Sequence, residues 1–536
     1  SRRFCSIRSN LAYRRWLKTE QHLQPPADAA LSGKSETPLF SVIIYSGNSG
    51  RRALDHSLES VRNQKFTGYE YHLVTDQEPL PEAVAGEFLV FLEGGMLMAP
   101  DMLRRFSETL KENPEFDMVY CDEDRISFRT GTRSHPFFKP DWSPDLNWSL
   151  PYVGCAAAYR SSLVKKAGLP EKVFGEAEQY AFLFRFLEYT GHHRIGHIPE
   201  VLCHSNVKKG ADVFSSERPE TAEACRRAAE DHIRRSGQEA RMEPVPGTDR
   251  FRIVYGTGEQ PLVSVIIPSK DHPEMLGQCV RSIRELTGYK NYEILVVDNG
   301  SSPENEARIR ELLTENGAGY IYRKEEFNFS RMCNRGAESA RGEYLLFLND
   351  DIKIIQPDWM DRMLGQAMQP HTGAVGAKLL YPDSGLIQHA GVSNTQDGPC
   401  HSFMMGREDF AYYYPYLKLN YNCLAVTGAC LMVGRKKFEE AGRFDESYPV
   451  AYNDVKLCFS LFKAGYFQVV RNDTAAYHYE SYSRGLDALD EQKQARLRME
   501  LSRLFRDFPE LQGKDPFLNP NLKCFSYALE LRTGRP

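Results

Sequence analysis

The sequence predicts an α/β protein made of two tandem copies of one open, mostly parallel sheet with helices on both faces. Three observations carry that expectation. The chain repeats itself at long period: SVII stands at Ser41–Ile44 and again at Ser264–Ile267, 223 residues later. Each copy then runs through a helical stretch, a T-G-Y turn, an apolar strand ending in Asp76 or Asp298, and a G-E-aromatic strand at 86–95 or 342–351. Within a copy, short β-branched runs alternate with segments of helical spacing, the pattern of βαβ units.

Taken in order, residues 1–37 read as a basic helical extension and 38–205 as the first sheet unit. Residues 206–258 read as a connecting helix and strand, 259–485 as the second unit, and 486–536 as a helical C-terminal extension. In the second unit VSVIIPS is a buried strand, Pro273–Glu285 a helix and YEILVVD the next strand. ENEARIRELLTENG is an amphipathic helix with a glycine stop, and YLLFLND is a central strand. Parallel sheets bind ligands beyond the carboxyl ends of their strands. Asp271, Asp298, Asp350 and Asp351 all fall at such ends. Read singly, a strand-end Asp is a turn former. Read as an ordered set, these carboxylates suit a nucleoside and a hard divalent cation bridging phosphates.

The second unit resembles a GT-A fold glycosyltransferase of family 2. The resemblance runs through VSVIIPSKD, EILVVDNGS, FNFSRMCNRGAESARGEYLLFLNDD, IQHAG, VTGACLMV, GRFDE, AYNDVKLCFSLFKAGY and YHYESYSRG. A weaker one covers 38–205, including YCDED and FFKPDWSPDLNW. The pairing is similar to two-domain bacterial proteins, rhamnosyltransferase-like, that build surface polysaccharides.

The resemblance implies that Pro268, Ser269, Asp271 and Asp298 line the nucleotide pocket, with Asn334 and Gly336 beside the donor sugar. Asn349-Asp350-Asp351 takes the place of the family's D-x-D motif, its first position Asn rather than Asp. Asp351 and His478 are then the ligands of Mn2+ or Mg2+, and Asp350 lies near the ribose or the metal. Asp454 matches the catalytic base of a single in-line, inverting displacement. His389, Thr427, Gly428 and Arg484 are weaker candidates for contact with the acceptor or a phosphate, and the aromatic run at 410–421 for stacking on sugar rings or core packing. The donor is a dTDP- or UDP-sugar and the acceptor a glycan, free or lipid-linked, which places the protein in the cytoplasm with peripheral contact at the inner membrane face.

The first unit reads as degenerate. SVIIYSGNS carries no counterpart of Asp271, and Glu93-Gly94-Gly95 replaces Asn349-Asp350-Asp351. Around Tyr180 the base position offers Gln179 and Ala181. His204 takes the place of His478, without carboxylate partners. Asp122-Glu123-Asp124 reads as a structural or acceptor feature rather than a second metal site.

Composition bounds the alternatives. Hydrophobic residues make up 41% and charged residues 26%, the balance of a globular chain. The net charge of −5 gives no footprint for nucleic acid. The 12 cysteines form no C-x-x-C pair, against a zinc ribbon or a redox motif. No apolar run reaches the ~18 residues of a membrane span, and the basic N-terminus has no apolar stretch of a signal peptide. A nucleotidyltransferase shares the nucleotide-binding layout, but a glycine-rich basic loop is expected where Pro268-Ser269-Lys270-Asp271 stands. A non-catalytic glycan-binding protein is the other alternative.

Overall fold

The computed structural model describes residues 12–19, 38–47, 49–75, 80, 84–154, 156–170, 176–206, 219–407, 416–479, 491–523 and 531, with only the backbone of 491–493. Two sheets dominate it. The first is ordered Tyr69–Val74, Phe40–Tyr45, Phe88–Glu93, Ala157–Arg160, Met118–Ile126, Ile195–Asn206, Met96–Met98. The second is ordered Gly319–Tyr322, Tyr292–Asp298, Val263–Ser269, Tyr344–Leu348, Cys430–Gly434, Thr372–Leu380, Phe467–His478, Ile352–Ile354. Apart from the extra edge strand Gly319–Tyr322, the two orders correspond strand for strand.

The strand directions correspond too. In each unit the first three shared strands run parallel, the fourth is antiparallel to its neighbours, and a short strand closes the far edge antiparallel to a partner distant in sequence. The sheets are therefore mixed rather than mostly parallel. The parallel half is the one that the sequence pattern emphasised.

A buried latch is duplicated along with the strands. Ser41 Oγ donates to Glu70 Oε1 at 2.6 Å and accepts from the Gly86 N–H at 2.8 Å. Ser264 Oγ donates to Glu293 Oε1 at 2.7 Å and accepts from the Gly342 N–H at 2.8 Å. Both glycines are required by space, since a Cβ on either would collide with the serine backbone nitrogen.

Strand alternation splits the second unit's core in two. Val263, Val265 and Ile267 face the helices Pro273–Leu286 and Trp359–Ala367, while Ile266 joins Val297, Met332 and Cys333 in a core that continues into the first unit. The FFKPDWSPDLNW motif forms the polar joint between the units. Asn422 Oδ1 accepts from Ser143 Oγ and Asp145 N–H, and its Nδ2 donates to Asp145 Oδ2 at 2.7 Å. Burial works to raise the Asp145 pKa, but His371, Asn422 and Gln366 outweigh it and hold the carboxyl below its usual range. Downstream of the helix Glu491–Asp507, the tail bridges the same joint. Asp515 accepts from the Asn394 N–H, and Asn519 donates to Asp122 Oδ2 at 2.8 Å.

The acidic run of the first unit is structural. Asp124 accepts from Tyr13 OH and Arg133 Nε, both at 2.6 Å, and sits 2.5 Å from His204 Nδ1. Asp122 lies 2.9 Å from the fully buried His197, whose other nitrogen meets Asp141. Burial alone would lower the His197 pKa, yet the two carboxylates hold it up at about 9.

Candidate active site

Pairing in register brings the expected residues to one edge of the second sheet. Ser269 lies opposite Asp298, and the Asn349-Asp350-Asp351 turn leaves the strand on the other side. Pro268 is buried within the strand, one residue inside that edge. Ser269 Oγ donates to Asp350 Oδ2 at 2.6 Å. Burial pushes the Asp350 carboxyl up to about 6, the Asp351 charge adds to the rise, and the Ser269 hydroxyl opposes it.

Asp351 faces His478 because Ile352 pairs with His478 where the short edge strand Ile352–Ile354 runs antiparallel to Phe467–His478. His478 Nδ1 lies 2.6 Å from Gln388 Oε1, an acceptor, so Nδ1 carries the proton and the Nε2 lone pair is turned the other way. Nε2 approaches Asp351 Oδ1 at 3.1 Å, and Asn349 Nδ2 lies 3.4 Å from it. The 3.1 Å approach meets the distance for an ion pair, but Asp351 Oδ1 is buried and makes no hydrogen bond. An imidazole lone pair and a carboxylate oxygen facing each other at that distance fit a divalent cation between N and O donors. Among the described residues no group of three His, Cys, Asp or Glu side chains converges on one point. The described residues thus offer two ligands, and a cation's remaining oxygens would come from a bound phosphate ligand or water, the usual arrangement for magnesium-type sites.

Asp454 stands in the first turn of the helix Asn453–Lys463, entered through Tyr452 at φ +54°. Its Oδ2 accepts from the Gly428 N–H at 2.7 Å and its Oδ1 from the Val455 N–H at 2.8 Å. A Cβ on Gly428 would lie 3.4 Å from Asp454 Cβ and 3.5 Å from Phe329 Cε1, ordinary contact distances, so Gly428 borders Asp454 directly. One residue on, Ala429 O accepts from the Asn349 N–H at 3.0 Å. The 427–429 turn therefore joins the Asp351 end of the site to the Asp454 end.

Several expected contacts are engaged elsewhere. Asp298 is 0% exposed; its Oδ1 accepts from Ser301 N–H and Oγ–H, and its Oδ2 from Tyr320 OH at 2.6 Å. Asp271, at φ +58°, accepts from Ser302 N–H at 2.7 Å and Asn305 Nδ2 at 3.1 Å, at the start of the helix Pro303–Glu315 that Ser302 caps. These donors lower its pKa. Asp298 uses both oxygens on the 299–302 turn and its neighbour Tyr320, whereas Asp271 uses its Oδ1 there. Asn334 does not border a donor site either: Nδ2 donates to Phe444 O at 2.9 Å and Oδ1 accepts from the Phe444 N–H, clamping the loop that leads to Asp454.

Gly336 is a packing glycine. A Cβ there would fall inside the van der Waals envelope of Ile266 Cγ2 and 3.2 Å from Val297 Cγ2, because its helix lies directly on two strands. We expect Gly336→Ala to cost about 1–3 kcal/mol through overpacking, read as a lower midpoint in thermal unfolding. An unchanged melt with weakened donor binding would return the residue to the donor site.

His389 is 0% exposed and cannot touch an acceptor. Its Nε2 accepts from the Gly391 and Thr427 N–H groups, each at 3.3 Å, so it holds the 427–428 turn. Burial, with the neighbouring His401 and His478, keeps its pKa well below the usual value. Thr427 is 9% exposed, and its Oγ1 accepts from the Ala429 N–H. Arg484 and residues 410–415 of the 410–421 run lie outside the described residues, and Leu417, Leu419 and Tyr421 of the remainder are buried in the core.

In the first unit the register of the edge strand Met96–Met98 corrects the histidine pairing. Met96, the counterpart of Ile352, lies opposite Ser205, while His204 lies opposite Leu97. His204 is thus one residue out of register with His478, and it has a carboxylate partner after all, Asp124. Gln388 and Ser301 escaped sequence reading. Gln388 stands inside IQHAG, but it is skipped by a register shift opposite Leu379 and Leu380, and a bulge of this kind leaves no local period to read.

Residues 264–442 match the family model described as Glycosyl transferase family 2. The second unit is a family 2 glycosyltransferase domain. Uncharacterized protein y4gI of Sinorhizobium fredii is 32% identical over 95% of this chain and 60% of its own length. The O-antigen biosynthesis protein RfbC of Myxococcus xanthus is 32% identical over 87% of this chain and 39% of its own. The N-acetylglucosaminyl-diphospho-decaprenol L-rhamnosyltransferase of Mycobacterium tuberculosis is 26% identical over 36% of this chain and 68% of its own. The chain therefore spans less than two thirds of the first two relatives. Ser269 and Asp351 lie within the matched stretch, and Asp454 and His478 follow it in sequence.

Proposed function

We propose that the family 2 domain transfers a sugar, with inversion, from a dTDP- or UDP-sugar to a glycan hydroxyl during assembly of a bacterial surface polysaccharide. The observation that carries the reading is the pair of facing acceptors, His478 Nε2 and Asp351 Oδ1, joined by the 427–429 turn to Asp454. The names of the RfbC and rhamnosyltransferase relatives support the biological setting. A nucleotidyltransferase is disfavoured by the glycine-free Pro268-Ser269-Lys270-Asp271 strand end.

Asp454 acts as general base. Oδ2, fixed by the Gly428 amide, takes the proton of the acceptor hydroxyl as that oxygen bonds to the anomeric carbon and the bond from carbon to the diphosphate oxygen breaks. Asp351 and His478 hold Mn2+ or Mg2+, which when bound supplies Lewis-acid stabilisation to the leaving diphosphate. Ser269 and Asp350 shape the floor beside it. The first unit keeps the sheet without the ligands and supports the second through the Asp145–Asn422 joint. No helix among the described residues is long and apolar enough to cross a membrane, and we place the work at the inner membrane face, where a lipid-linked glycan is accessible to peripheral contact.

A thermal-shift screen of nucleotide sugars with and without Mn2+ tests the reading, since a specific ligand stabilises the folded state by mass action. One donor is expected to raise the melting midpoint only when Mn2+ is present, and to release its nucleoside diphosphate on addition of acceptor. Stabilisation by glycan alone, with no response to any nucleotide sugar and cation, would sink it.

A further inference from the structure

We propose that Gln388 and His389, adjacent on the strand Ile387–His389, are positioning residues that lock the cation side and the base side of the site into one register. The inference rests on the function proposed above and extends it. Gln388 is the residue skipped at a β-bulge, where Leu379 pairs with His389 and Leu380 with Ile387, and the two neighbouring side chains reach different partners. Gln388 Oε1 holds His478 Nδ1 at 2.6 Å and so turns Nε2 toward Asp351. His389 Nε2 takes the Thr427 N–H at 3.3 Å, and the next amide along, Gly428 N–H, holds Asp454 Oδ2 at 2.7 Å. Neither residue is open to a ligand: Gln388 is 3% exposed and His389 0%. Each acts on the chemistry only through the group that it holds.

The local chemistry fixes the direction of each hold. With Nε2 accepting from two backbone amides, the His389 ring keeps its proton on Nδ1, which faces His401 Nδ1 at 2.8 Å. The His389–His401 contact braces the strand against Gly398–His401, and Ile387 is braced in turn by backbone bonds to Met405 and Gly406. A shift of this strand would therefore move His478 and the 427–428 turn together. Orienting partners of metal-bound histidines typically carry 10–100-fold of metal affinity, whereas a residue that merely packs would change stability alone.

The test titrates Mn2+ by calorimetry into the full chain saturated with UDP or dTDP, whichever the donor screen selects, and measures kcat and KM in parallel. Gln388→Leu is expected to weaken Mn2+ binding about 10–100-fold, while Gln388→Glu, which keeps an acceptor for Nδ1–H, stays within about threefold of wild type. His389→Gln is expected to leave Mn2+ affinity within about threefold and to lower kcat about tenfold with donor KM little changed, because the geometry of the base moves and the cation does not. Wild-type Mn2+ affinity in Gln388→Leu, or lost affinity in a folded Gln388→Glu, overturns the proposal while leaving the glycosyltransferase reading intact. If Gln388→Leu does not fold, Gln388→Glu decides alone: retained affinity supports the hold and lost affinity overturns it. A wild-type chain that neither binds Mn2+ nor turns over any nucleotide sugar would remove the underlying function, and this inference with it.

Discussion

Asp454→Asn is expected to lower kcat by about two to four orders of magnitude, the usual share of a positioned general base, with the fold intact. The substitution keeps size and shape. An asparagine carbonyl can still accept from one of the two amides that now bond the carboxylate, Gly428 and Val455. What it loses is basicity toward the acceptor hydroxyl. The loss should fall on kcat, because Asp454 stands opposite the leaving group in the proposed reaction and the nucleotide is held elsewhere. Donor affinity by calorimetry should change little, and circular dichroism melts should agree within a few degrees. Full turnover by the variant would take the base role from Asp454 and, with it, the single displacement that the inverting assignment requires.

The fold was legible because its determinants are periodic. Val263, Val265 and Ile267 on one face and Ile266 on the other are a strand pattern that admits few alternatives. The duplicated Ser–Glu–Gly latch was present as well, as Ser41, Glu70 and Gly86 against Ser264, Glu293 and Gly342, although only the structure gives it a mechanism. The site was harder to read, for a physical reason. A strand-end aspartate reads the same whether it binds a ligand or caps its own turn, and the choice is made by donors distant in sequence. Tyr320 reaches Asp298 from 22 residues away, and Ser302 and Asn305 reach Asp271 from more than 30.

Glycines raise the same ambiguity. Gly336 meets Ile266 across the sheet, which no local motif shows, whereas Gly428 does border the functional carboxylate. The His204 pairing failed through register. Aligning by residue type put a histidine against a histidine, and the edge-strand pairing places Ser205 there instead. A one-residue slip turns a side chain to the other face of a sheet, so His204 points to Asp124 and belongs to the first unit's core polar network.

Asp351→Asn should move activity and stability in opposite directions, and that split separates a cation site from a structural ion pair. For activity the charge is decisive. Each tenfold in rate is about 1.4 kcal/mol of barrier, and loss of one of two protein ligands removes several kcal/mol of stabilisation from the departing diphosphate. We expect kcat to fall at least a hundredfold and the Mn2+ concentration for half-activation to rise, with chelator abolishing what remains. For stability the sign reverses. In cation-free buffer the wild-type carboxylate oxygen is buried without a hydrogen bond, facing an imidazole lone pair whose ring is already oriented by Gln388. The asparagine amide can donate to that lone pair, a gain of about 0.5–1.5 kcal/mol. The chelated variant should therefore melt at or above the chelated wild type, and wild type should recover the advantage as Mn2+ is added. Were Asp351 instead paired with a protonated His478 for stability, removing its charge would lower the melting midpoint in chelator and leave the Mn2+ response unchanged. Such a result would dissolve the cation site on which the proposed chemistry rests.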